Sequence, residues 1–235
     1  IDPIEKKPLY HFLPGTQSYS IGSPGCNFQC GFCQNWQISQ FKSTIEKSFV
    51  NAEEIDPSEI IEEALHHSCE SISYTFTEPT IFFEFAYDTA VLASQKNLSN
   101  IFVTNGYMTK KAIDKISPYL DAVNIDLKSF RNEFYKKNCR ATLKPVLDTI
   151  KYMKGKGIWI ELTTLIVPGQ NDSEKEMEDI VKFIAKTDKR IPWHISRFYP
   201  DYQFSHVPPT SLEILEKAKN FGRKHGLKNI YFGNV

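Results

Sequence analysis

Short strand-like runs alternate with helical segments along the whole chain, and this alternation limits the possible folds most strongly. Six runs rich in β-branched or aromatic residues predict strands, and segments with helical periodicity lie between them. Strands that are joined by crossover helices pair in parallel, so the sequence predicts an α/β fold. The predicted strands are 18–21, 71–76, 101–104, 122–125, 159–166 and 193–198, and a final run at 229–232 is either one more strand or an irregular tail.

Boundary residues support the helices between these strands. Asp56 is a suitable N-cap residue, because Pro57 follows it and Glu59 stands three positions later. Ser173 and Glu176 match the pattern of a second capping box, in which each side chain hydrogen-bonds the other residue's backbone N–H. The predicted helices are 56–67, 81–95, 109–116, 145–154, 173–185 and 212–222.

A short polar motif follows every predicted strand, and the position of these motifs decides between two α/β architectures. In a (β/α) barrel the carboxyl ends of all strands converge on one mouth, where active sites are built. In a doubly wound sheet the motifs would be concentrated at a single switch point. Because six strands are too few for a full barrel, the sequence predicts a partial (β/α)6 barrel of the TIM type with an open side. The motifs are a cysteine loop within 22–40 and segments at 77–79, 105–106, 126–128, 168–172 and 199–201.

The bulk properties narrow the class of protein. The 235 residues suffice for one substantial core, and the absence of a linker or repeat predicts a single domain over 1–235. The formal net charge is zero at pH 7, so no global positive field favours nucleic acid as a partner. No apolar run reaches the roughly 18 residues that cross a bilayer, which predicts a cytoplasmic protein without a membrane partner. Because the chain opens at Ile1, we expect an upstream segment to be processed or missing.

Three of the five cysteines stand within eight residues and predict a metal centre. Cys26, Cys30 and Cys33 are separated by three and then two residues, a crowding that suits a metal site better than disulfides. Thiolates select zinc or an iron–sulfur cluster, and a structural zinc site requires a fourth protein ligand for which no second pair is evident. A four-iron cluster with only three cysteines leaves one iron open to another ligand. Cys69 and Cys139 stand alone, and we interpret them as buried free thiols.

The Cys-x-x-x-Cys-x-x-Cys spacing, with the aromatic Phe32 before the last cysteine, resembles the cluster loop of the radical S-adenosylmethionine (SAM) superfamily. The resemblance implies that Cys26, Cys30 and Cys33 hold three irons of a 4Fe-4S cluster and that Phe32 lies with the cofactors. It also implies that SAM chelates the fourth iron through its amino and carboxylate groups. Reductive cleavage of SAM would then give a 5′-deoxyadenosyl radical that abstracts hydrogen from a substrate.

Further motifs resemble the segments with which this superfamily holds SAM. Thr77 and Glu78 stand in the place of a Gly-Gly-Glu-Pro motif, whose backbone and carboxylate position the methionyl ammonium. Thr104 and Asn105 end the third strand, where short polar side chains could meet the ribose hydroxyls or the SAM carboxylate. Val167 belongs to the segment that resembles the support for the adenine. The structural alternatives are a helix-entry Glu-Pro for Glu78, a plain β-turn for Asn105 and barrel core for Val167.

The end of the last long strand supplies another group of candidate residues. His194, Arg197 and Tyr199 could reach the same mouth. Strand alternation puts His194 and Ser196 on one face, and Ile195 and Arg197 on the other. We assign His194 to the cofactor-binding set, and a core histidine with satisfied hydrogen bonds is the alternative.

Nearly the whole chain resembles the activating enzymes of glycyl radical proteins, such as pyruvate formate-lyase activating enzyme, and more closely the radical SAM proteins of the AmmeMemoRadiSam system. In the activases an Asp-Leu-Lys segment helps to bind a monovalent cation beside the SAM carboxylate, and its lysine lies near the substrate glycine. Asp126 and Lys128 match, which implies a cofactor-binding role for Asp126 and a catalytic role for Lys128, and a structural ion pair between them is the alternative. The family also has an aspartate before Thr-Asn-Gly, where this chain has Val103. The segments that carry the resemblance are 25–39, 104–106, 124–128 and 167–169.

These observations predict a radical SAM oxidoreductase that acts on a protein in the manner of a glycyl radical activase, with flavodoxin or ferredoxin as its reductant. A basic stretch over 128–144, which includes Arg131, Lys136, Lys137 and Arg140, could receive the protein substrate or could be a solvated face. The alternative function is an iron–sulfur module that transfers electrons or senses redox state without SAM turnover. A structural zinc site in a barrel scaffold is a third hypothesis.

Overall fold

The computed structural model describes residues 1–40 and 55–235. Eight strands within these residues form one sheet, and their spatial order is their order in the chain. The strands are β1 (Asp2–Pro3), β2 (Gln17–Ile21), β3 (Ser71–Tyr74), β4 (Ser99–Thr104), β5 (Ala122–Asp126), β6 (Trp159–Ile166), β7 (Trp193–Arg197) and β8 (Ile230–Gly233).

Strands β2 to β8 run parallel, each beside the next, and the sheet curls into a partial barrel with β1 and β8 as its edges. This arrangement confirms the predicted α/β partial barrel, and it makes the run at 229–232 a further parallel strand. The edge strand β1 pairs antiparallel with β2 through Asp2 and Pro3. A two-residue strand has no periodicity, so the sequence pattern could not predict it.

The six predicted helices are confirmed, with small shifts at their ends, and the described residues contain two further short α-helices. At the start of α2 the backbone N–H of Asp56 donates to Oε2 of Glu59 at 2.7 Å, as the capping box requires. The helices are α1 (Trp36–Ser39), α2 (Pro57–His66), α3 (Phe83–Gln95), α4 (Lys110–Ile116), α5 (Asn132–Phe134), α6 (Leu143–Gly155), α7 (Glu174–Asp188) and α8 (Leu212–Lys224).

Only one of the two hydrogen bonds of the predicted capping box of α7 forms, so the prediction for Glu176 is wrong. Ser173 Oγ accepts a hydrogen bond from the backbone N–H of Glu176 at 3.4 Å, as predicted. The Glu176 carboxylate, however, turns into the protein and accepts from the backbone N–H of Phe130 at 3.2 Å, from the Ser129 hydroxyl and from Nε of Arg131 at 2.7 Å. A buried carboxylate with three donors is better satisfied than a solvent-exposed cap, and it ties α7 to the loop after β5.

The helices pack on the outer face of the sheet through apolar stripes. On α7 the buried residues Met177, Ile180, Val181 and Ile184 recur at spacings of three and four, which places them on one face. Each such side chain contributes about 1.5–3 kcal/mol when fully buried. Among the described helices, none is long and apolar enough to cross a bilayer.

The N-terminal segment packs inside the curl of the sheet near the start of the strands. Ile4 and Leu9 form a small core with Ile101 and Ala122, which belong to β4 and β5. The segment is therefore a plug that leaves the carboxyl ends of the strands as the side available for a site.

Glu161 of β6 holds this plug in place from inside the barrel. Its fully buried carboxylate accepts from the backbone N–H groups of Tyr10 and His11 at 3.0 and 2.8 Å, and it lies 2.6 Å from Nε2 of His194. Burial raises the pKa of Glu161, but the hydrogen bonds from His194, Tyr10 and His11 outweigh burial and the pKa is lowered.

We expect Glu161→Ala to destabilise the protein by about 3–5 kcal/mol, because removal of one member of a buried polar pair leaves the other donors unsatisfied. Chemical denaturation measures this loss. Glu174→Ala is the matched control, since Glu174 forms an exposed ion pair with Lys217, and the unfolding midpoint should stay unchanged. An equal loss in both variants would contradict the role of the buried carboxylate.

Candidate functional site

A cavity of about 510 Å³ opens at the carboxyl ends of the parallel strands, and we refer to it as the mouth cavity. It brings together residues from loops that are far apart in the sequence, as the barrel architecture requires. Of the residues assigned to the catalytic and cofactor-binding sets, all except Val167 and His194 line it. These lining residues are Cys26, Cys30, Phe32, Cys33, Thr77, Glu78, Thr104, Asn105, Asp126 and Lys128.

The cysteine loop after β2 depends on glycine at a point of close contact. A Cβ atom at Gly22 would lie 2.6 Å from the carbonyl oxygen of Thr75, which is a backbone atom and cannot rotate away. Gly25 has φ +104°, a conformation that residues with side chains rarely adopt. These glycines allow the loop to turn back along the end of β3 and to present Cys26 to the mouth cavity.

A π-helical turn (Tyr135–Cys139) supports the cysteine loop from behind. The backbone N–H of Gln29 donates to the carbonyl of Cys139 at 2.9 Å, and that of Gly31 donates to the carbonyl of Asn138 at 3.0 Å. Two main-chain hydrogen bonds therefore fix the middle of the loop. A π-turn is frequent at functional sites, but the sequence pattern gave no sign of it.

The three loop thiols differ in their surroundings. Burial raises the pKa of Cys26 to about 12 and also raises that of Cys33, whose Sγ lies 3.1 Å from the Ser39 hydroxyl. A hydrogen bond with the Cys139 thiol and burial together raise the pKa of Cys30. In the absence of a cation these thiols therefore stay protonated, and binding a metal would release their protons.

Cys139 is a residue whose position the sequence did not reveal. We interpreted it as a buried free thiol, and it is fully buried, but it lies against Cys30 of the loop. Its distance in sequence from the other cysteines hid this contact.

Glu78 is the buried centre of the polar network in the mouth cavity. Its carboxylate accepts from the backbone N–H of Asn105 at 2.8 Å, from Thr104 Oγ1 at 2.8 Å and from the backbone N–H of Thr80 at 3.1 Å. Burial raises the pKa of Glu78, and these hydrogen bonds lower it in part. Hydrogen bonds from the protein use most acceptor positions of the carboxylate. Its main role is therefore to hold the loop that carries Thr104 and Asn105 in position.

Asn105 carries this network on to the cysteine loop. Its Nδ2 donates to Oδ1 of Asn27 at 2.7 Å and lies 3.8 Å from Sγ of Cys26. Asn27 in turn donates to the carbonyl of Tyr107 at 3.3 Å. The end of β4 and the cysteine loop are therefore linked through side-chain amides. Thr77, at the end of β3, joins the same loop through its hydroxyl, which donates to the carbonyl of Ser23 at 2.6 Å.

Asp126 and Lys128 form an ion pair on another side of the mouth cavity. Lys128 Nζ lies 2.6 Å from Oδ2 of Asp126 and 6.0 Å from the centre of the Phe32 ring. Burial lowers the pKa of Lys128, but the opposite charge of Asp126 and the hydrogen bond to it raise the pKa overall. Lys128 is therefore a stable cation beside the cysteine loop, and the Tyr135 hydroxyl, 3.1 Å from its backbone N–H, holds its main chain.

Two predicted residues lie elsewhere. Val167 is fully buried, and Leu165, two residues earlier, lines the mouth cavity in its place. His194 is on the predicted face of β7, together with Ser196, but it is two residues nearer the start of the strand and hydrogen-bonds Glu161. Alternation predicts the face of a strand residue and not its depth, and two residues correspond to about 6.6 Å along a strand.

The other two residues from the end of β7 also lie outside the mouth cavity. Arg197 donates from Nε to the carbonyl of Thr210 at 2.7 Å and from a terminal nitrogen to the Tyr199 hydroxyl at 3.1 Å. These hydrogen bonds hold the guanidinium in place, and neither Arg197 nor Tyr199 lines the mouth cavity.

The sequence did not reveal that the N-terminal segment contributes to the mouth cavity. Lys7 is almost fully buried there, 2.7 Å from Oδ2 of Asp2 and 5.0 Å from the centre of the Phe76 ring. Burial lowers the pKa of Lys7, whereas the hydrogen bond with Lys7 lowers that of Asp2 to about 2. No motif marks this pair, because the two residues meet only through the turn after β1.

Residues 20–184 match the family model of the Radical SAM superfamily. The match spans more than half of the chain and includes the cysteine loop and most of the mouth cavity. The chain therefore belongs to the radical SAM superfamily, as the cysteine spacing predicts, and membership implies a 4Fe-4S cluster and SAM as its cofactors.

Two relatives from Methanocaldococcus jannaschii extend this result. MJ0808, an uncharacterized protein, is 48% identical over 236 residues, which cover 100% of this chain and 69% of that protein. MJ1632, which carries the name of a glycyl-radical enzyme activating enzyme, is 26% identical over 213 residues, or 88% of this chain and 76% of that protein.

Among solved structures, a domain of pyruvate-formate lyase-activating enzyme from Bacteroides vulgatus superimposes with a TM-score of 0.62. The match covers 70% of this chain and 99% of that domain at 18% sequence identity. At this sequence identity, the similarity shows that this chain shares its fold with the activating-enzyme domain.

We expect Gly22→Ala to lower the iron and sulfide content of the anaerobically reconstituted protein severalfold, because the new methyl group would displace the cysteine loop from the end of β3. Metal analysis per chain measures the effect. Gly155→Ala is the control, since a Cβ there meets nothing within 4 Å, and its iron content should equal that of the parent. Full iron loading in Gly22→Ala would contradict the requirement for glycine.

Proposed function

We propose that this protein cleaves SAM reductively and uses the resulting 5′-deoxyadenosyl radical to abstract hydrogen from a protein substrate. The observation that carries the proposal is the placement of three cysteine thiols in one cavity, together with several polar side chains, at the mouth of the barrel. When bound, a 4Fe-4S cluster with one open iron supplies the electron that splits SAM. The residues of the chain bind the two cofactors, orient them and limit the access of water.

The donor set fits a four-iron cluster better than a single zinc ion. Cys26, Cys30 and Cys33 come from one loop, and three thiolates leave one iron of such a cluster free. Among the described residues, no three His, Cys, Asp or Glu side chains are grouped closely enough to hold one metal ion.

The remaining residues of the mouth cavity would hold SAM. Thr77, Thr104 and Asn105 place hydroxyl and amide groups beside the cysteine loop, where they suit the polar end of SAM. Glu78 fixes the position of Thr104 and Asn105 and adds negative charge that favours the methionyl ammonium. Phe32 and Leu165 supply apolar lining, and Val167 is fully buried and does not line the mouth cavity.

Lys128 is our candidate for the positive charge beside the SAM carboxylate. The resemblance to activases implies a monovalent cation at Asp126, but here the Asp126 carboxylate is paired with Lys128 at 2.6 Å. The second aspartate of the family, which precedes Thr-Asn-Gly, is replaced by Val103, and this apolar residue lines the mouth cavity. We therefore propose that the Lys128 ammonium takes the place of this cation, and that it lies near the group from which hydrogen is taken.

A glycine in a glycyl radical protein is the substrate that we propose. The name of MJ1632 and the resemblance of the Asp-Leu-Lys segment support this class, and an open partial barrel admits a polypeptide loop at its mouth. Within the same proposal, the protein belongs with the AmmeMemoRadiSam system, acts in the cytoplasm and receives electrons from flavodoxin or ferredoxin. A reducing compartment would keep the five free thiols reduced.

We expect the anaerobically reconstituted and reduced protein to show a 4Fe-4S electron paramagnetic resonance signal that changes on addition of SAM, and to release methionine and 5′-deoxyadenosine. Cys30→Ser should abolish both results, because the thiolate that binds one iron is lost. Cys69→Ala is the control, since this buried cysteine lies outside the mouth cavity, and it should retain both.

A cluster whose spectrum is indifferent to SAM, with no 5′-deoxyadenosine, would overturn the proposal in favour of an electron-transfer or redox-sensing module. A colourless protein that holds one zinc ion would support the scaffold hypothesis.

For the substrate, we expect the reduced protein and SAM to generate a glycyl radical on a glycyl radical protein from the same genome. Electron paramagnetic resonance detects the radical, and substitution of the acceptor glycine by alanine should abolish it. Lys128→Met should reduce radical formation by at least about tenfold, because loss of one charge-assisted contact costs about 1.5–3 kcal/mol. Release of 5′-deoxyadenosine with no radical on any protein would instead indicate a small-molecule substrate.

A further inference from the structure

The basic stretch at 128–144 does not form one surface. Lys128 points into the mouth cavity and pairs with Asp126, and Arg131 pairs with the buried Glu176 at 2.7 Å. Lys136, Lys137 and Arg140 remain exposed. No carboxylate of the described residues lies within ion-pair distance of these three side chains, which leaves their positive charge without a described partner.

These three cations lie on the π-helical turn behind the cysteine loop or directly after it. Lys137 and Arg140 line a second cavity of about 540 Å³, which we call the outer cavity. The cysteine loop separates the two cavities: Cys26 and Ser39 border both, Gly31 borders only the outer one, and Cys30 borders only the mouth cavity. The described lining of the outer cavity includes no Asp or Glu.

Backbone hydrogen bonds connect the π-helical turn beside the outer cavity to the loop that carries the three cysteines. The backbone carbonyls of Asn138 and Cys139 accept hydrogen bonds from Gly31 and Gln29 at 3.0 and 2.9 Å. Gly31, which directly follows Cys30 in the chain, itself lines the outer cavity, and the ring of Phe204 packs within 3.0 Å of the position of its absent Cβ atom. A molecule on this surface would therefore lie close behind Cys30, without entering the mouth cavity.

We propose that the outer cavity, with Lys136, Lys137 and Arg140, is the docking site of the reductant, an acidic electron-carrier protein. The proposal rests on the proposed function, since it assumes a cluster on Cys26, Cys30 and Cys33. Exposed cations without described counter-ions attract a negatively charged partner and accelerate its association. An electron donor needs only to come close to the irons, because electrons transfer over short distances through protein. The substrate, in contrast, must bring its hydrogen into the mouth cavity. The two proteins would then use opposite sides of the cysteine loop.

The test compares two charge-reversed double variants of the reconstituted holoprotein. The variant Lys137→Glu/Arg140→Glu reverses the sign of the two charges that line the outer cavity. Lys111→Glu/Lys224→Glu changes the net charge equally at exposed positions outside both cavities. Binding of flavodoxin and of ferredoxin is measured directly by calorimetry at low ionic strength, and 5′-deoxyadenosine release is measured with reduced flavodoxin and with dithionite.

We expect the outer-cavity variant to bind the carrier about tenfold more weakly or worse, and to lose flavodoxin-driven turnover by a similar factor. Its dithionite-driven turnover and its iron content should equal those of the parent, and the control variant should match the parent throughout. Added salt should reduce carrier binding by the parent more strongly than by the outer-cavity variant.

Carrier binding that is unchanged in the outer-cavity variant, or equally weakened in the control, would overturn the docking site. So would a parallel loss of flavodoxin-driven and dithionite-driven turnover, because this would indicate damage to the cysteine loop. Failure of the proposed function has a different signature, since the parent would then release no 5′-deoxyadenosine with dithionite. The calorimetric comparison tests the docking site even in that case.

Discussion

The buried carboxylate of Glu78 is the interaction on which the geometry of the mouth cavity depends. It joins the end of β3 to Thr104 and Asn105 at the end of β4. The amide of Asn105 then reaches Asn27 and Cys26, so one carboxylate sets the positions of groups from three loops. A buried charge without these donors would be costly, and each donor would lose its orientation without the carboxylate. The carboxylate and its donors therefore depend on one another, and the loss of one of them would disturb groups from all three loops.

The cysteine loop is held from two sides by different kinds of contact. On the cavity side, side chains such as Asn105 and Ser39 approach the thiols. On the outer side, carbonyl groups of the π-helical turn accept the loop's own N–H groups. Main-chain hydrogen bonds fix the path of the loop, while side-chain contacts adjust the thiols.

Much of the fold and of the candidate site followed from local sequence patterns. The alternation of strands and helices, with the rule that active sites form at the carboxyl ends of parallel strands, was enough to bring Cys26, Glu78, Asn105 and Lys128 together. The depth of His194 was not predictable, because it depends on how far the N-terminal plug fills the barrel. Similarly, the contact between Cys30 and Cys139 depends on a π-turn, which has no sequence signature of its own.

Both ends of the described chain reach the same opening. Asp2 and Asn234 line the mouth cavity, since β1 and β8 are the two edges of a sheet that does not close. The two sheet edges therefore shape the rim of this cavity, and added bulk there would narrow it. An insertion in the turn at Gly155 and Gly157, where added side-chain atoms meet nothing within 4 Å, would lie at the opposite end of the strands, and neither residue lines the mouth cavity. The open topology thus makes that turn, and not the sheet edges, the place for a label that leaves the mouth cavity free.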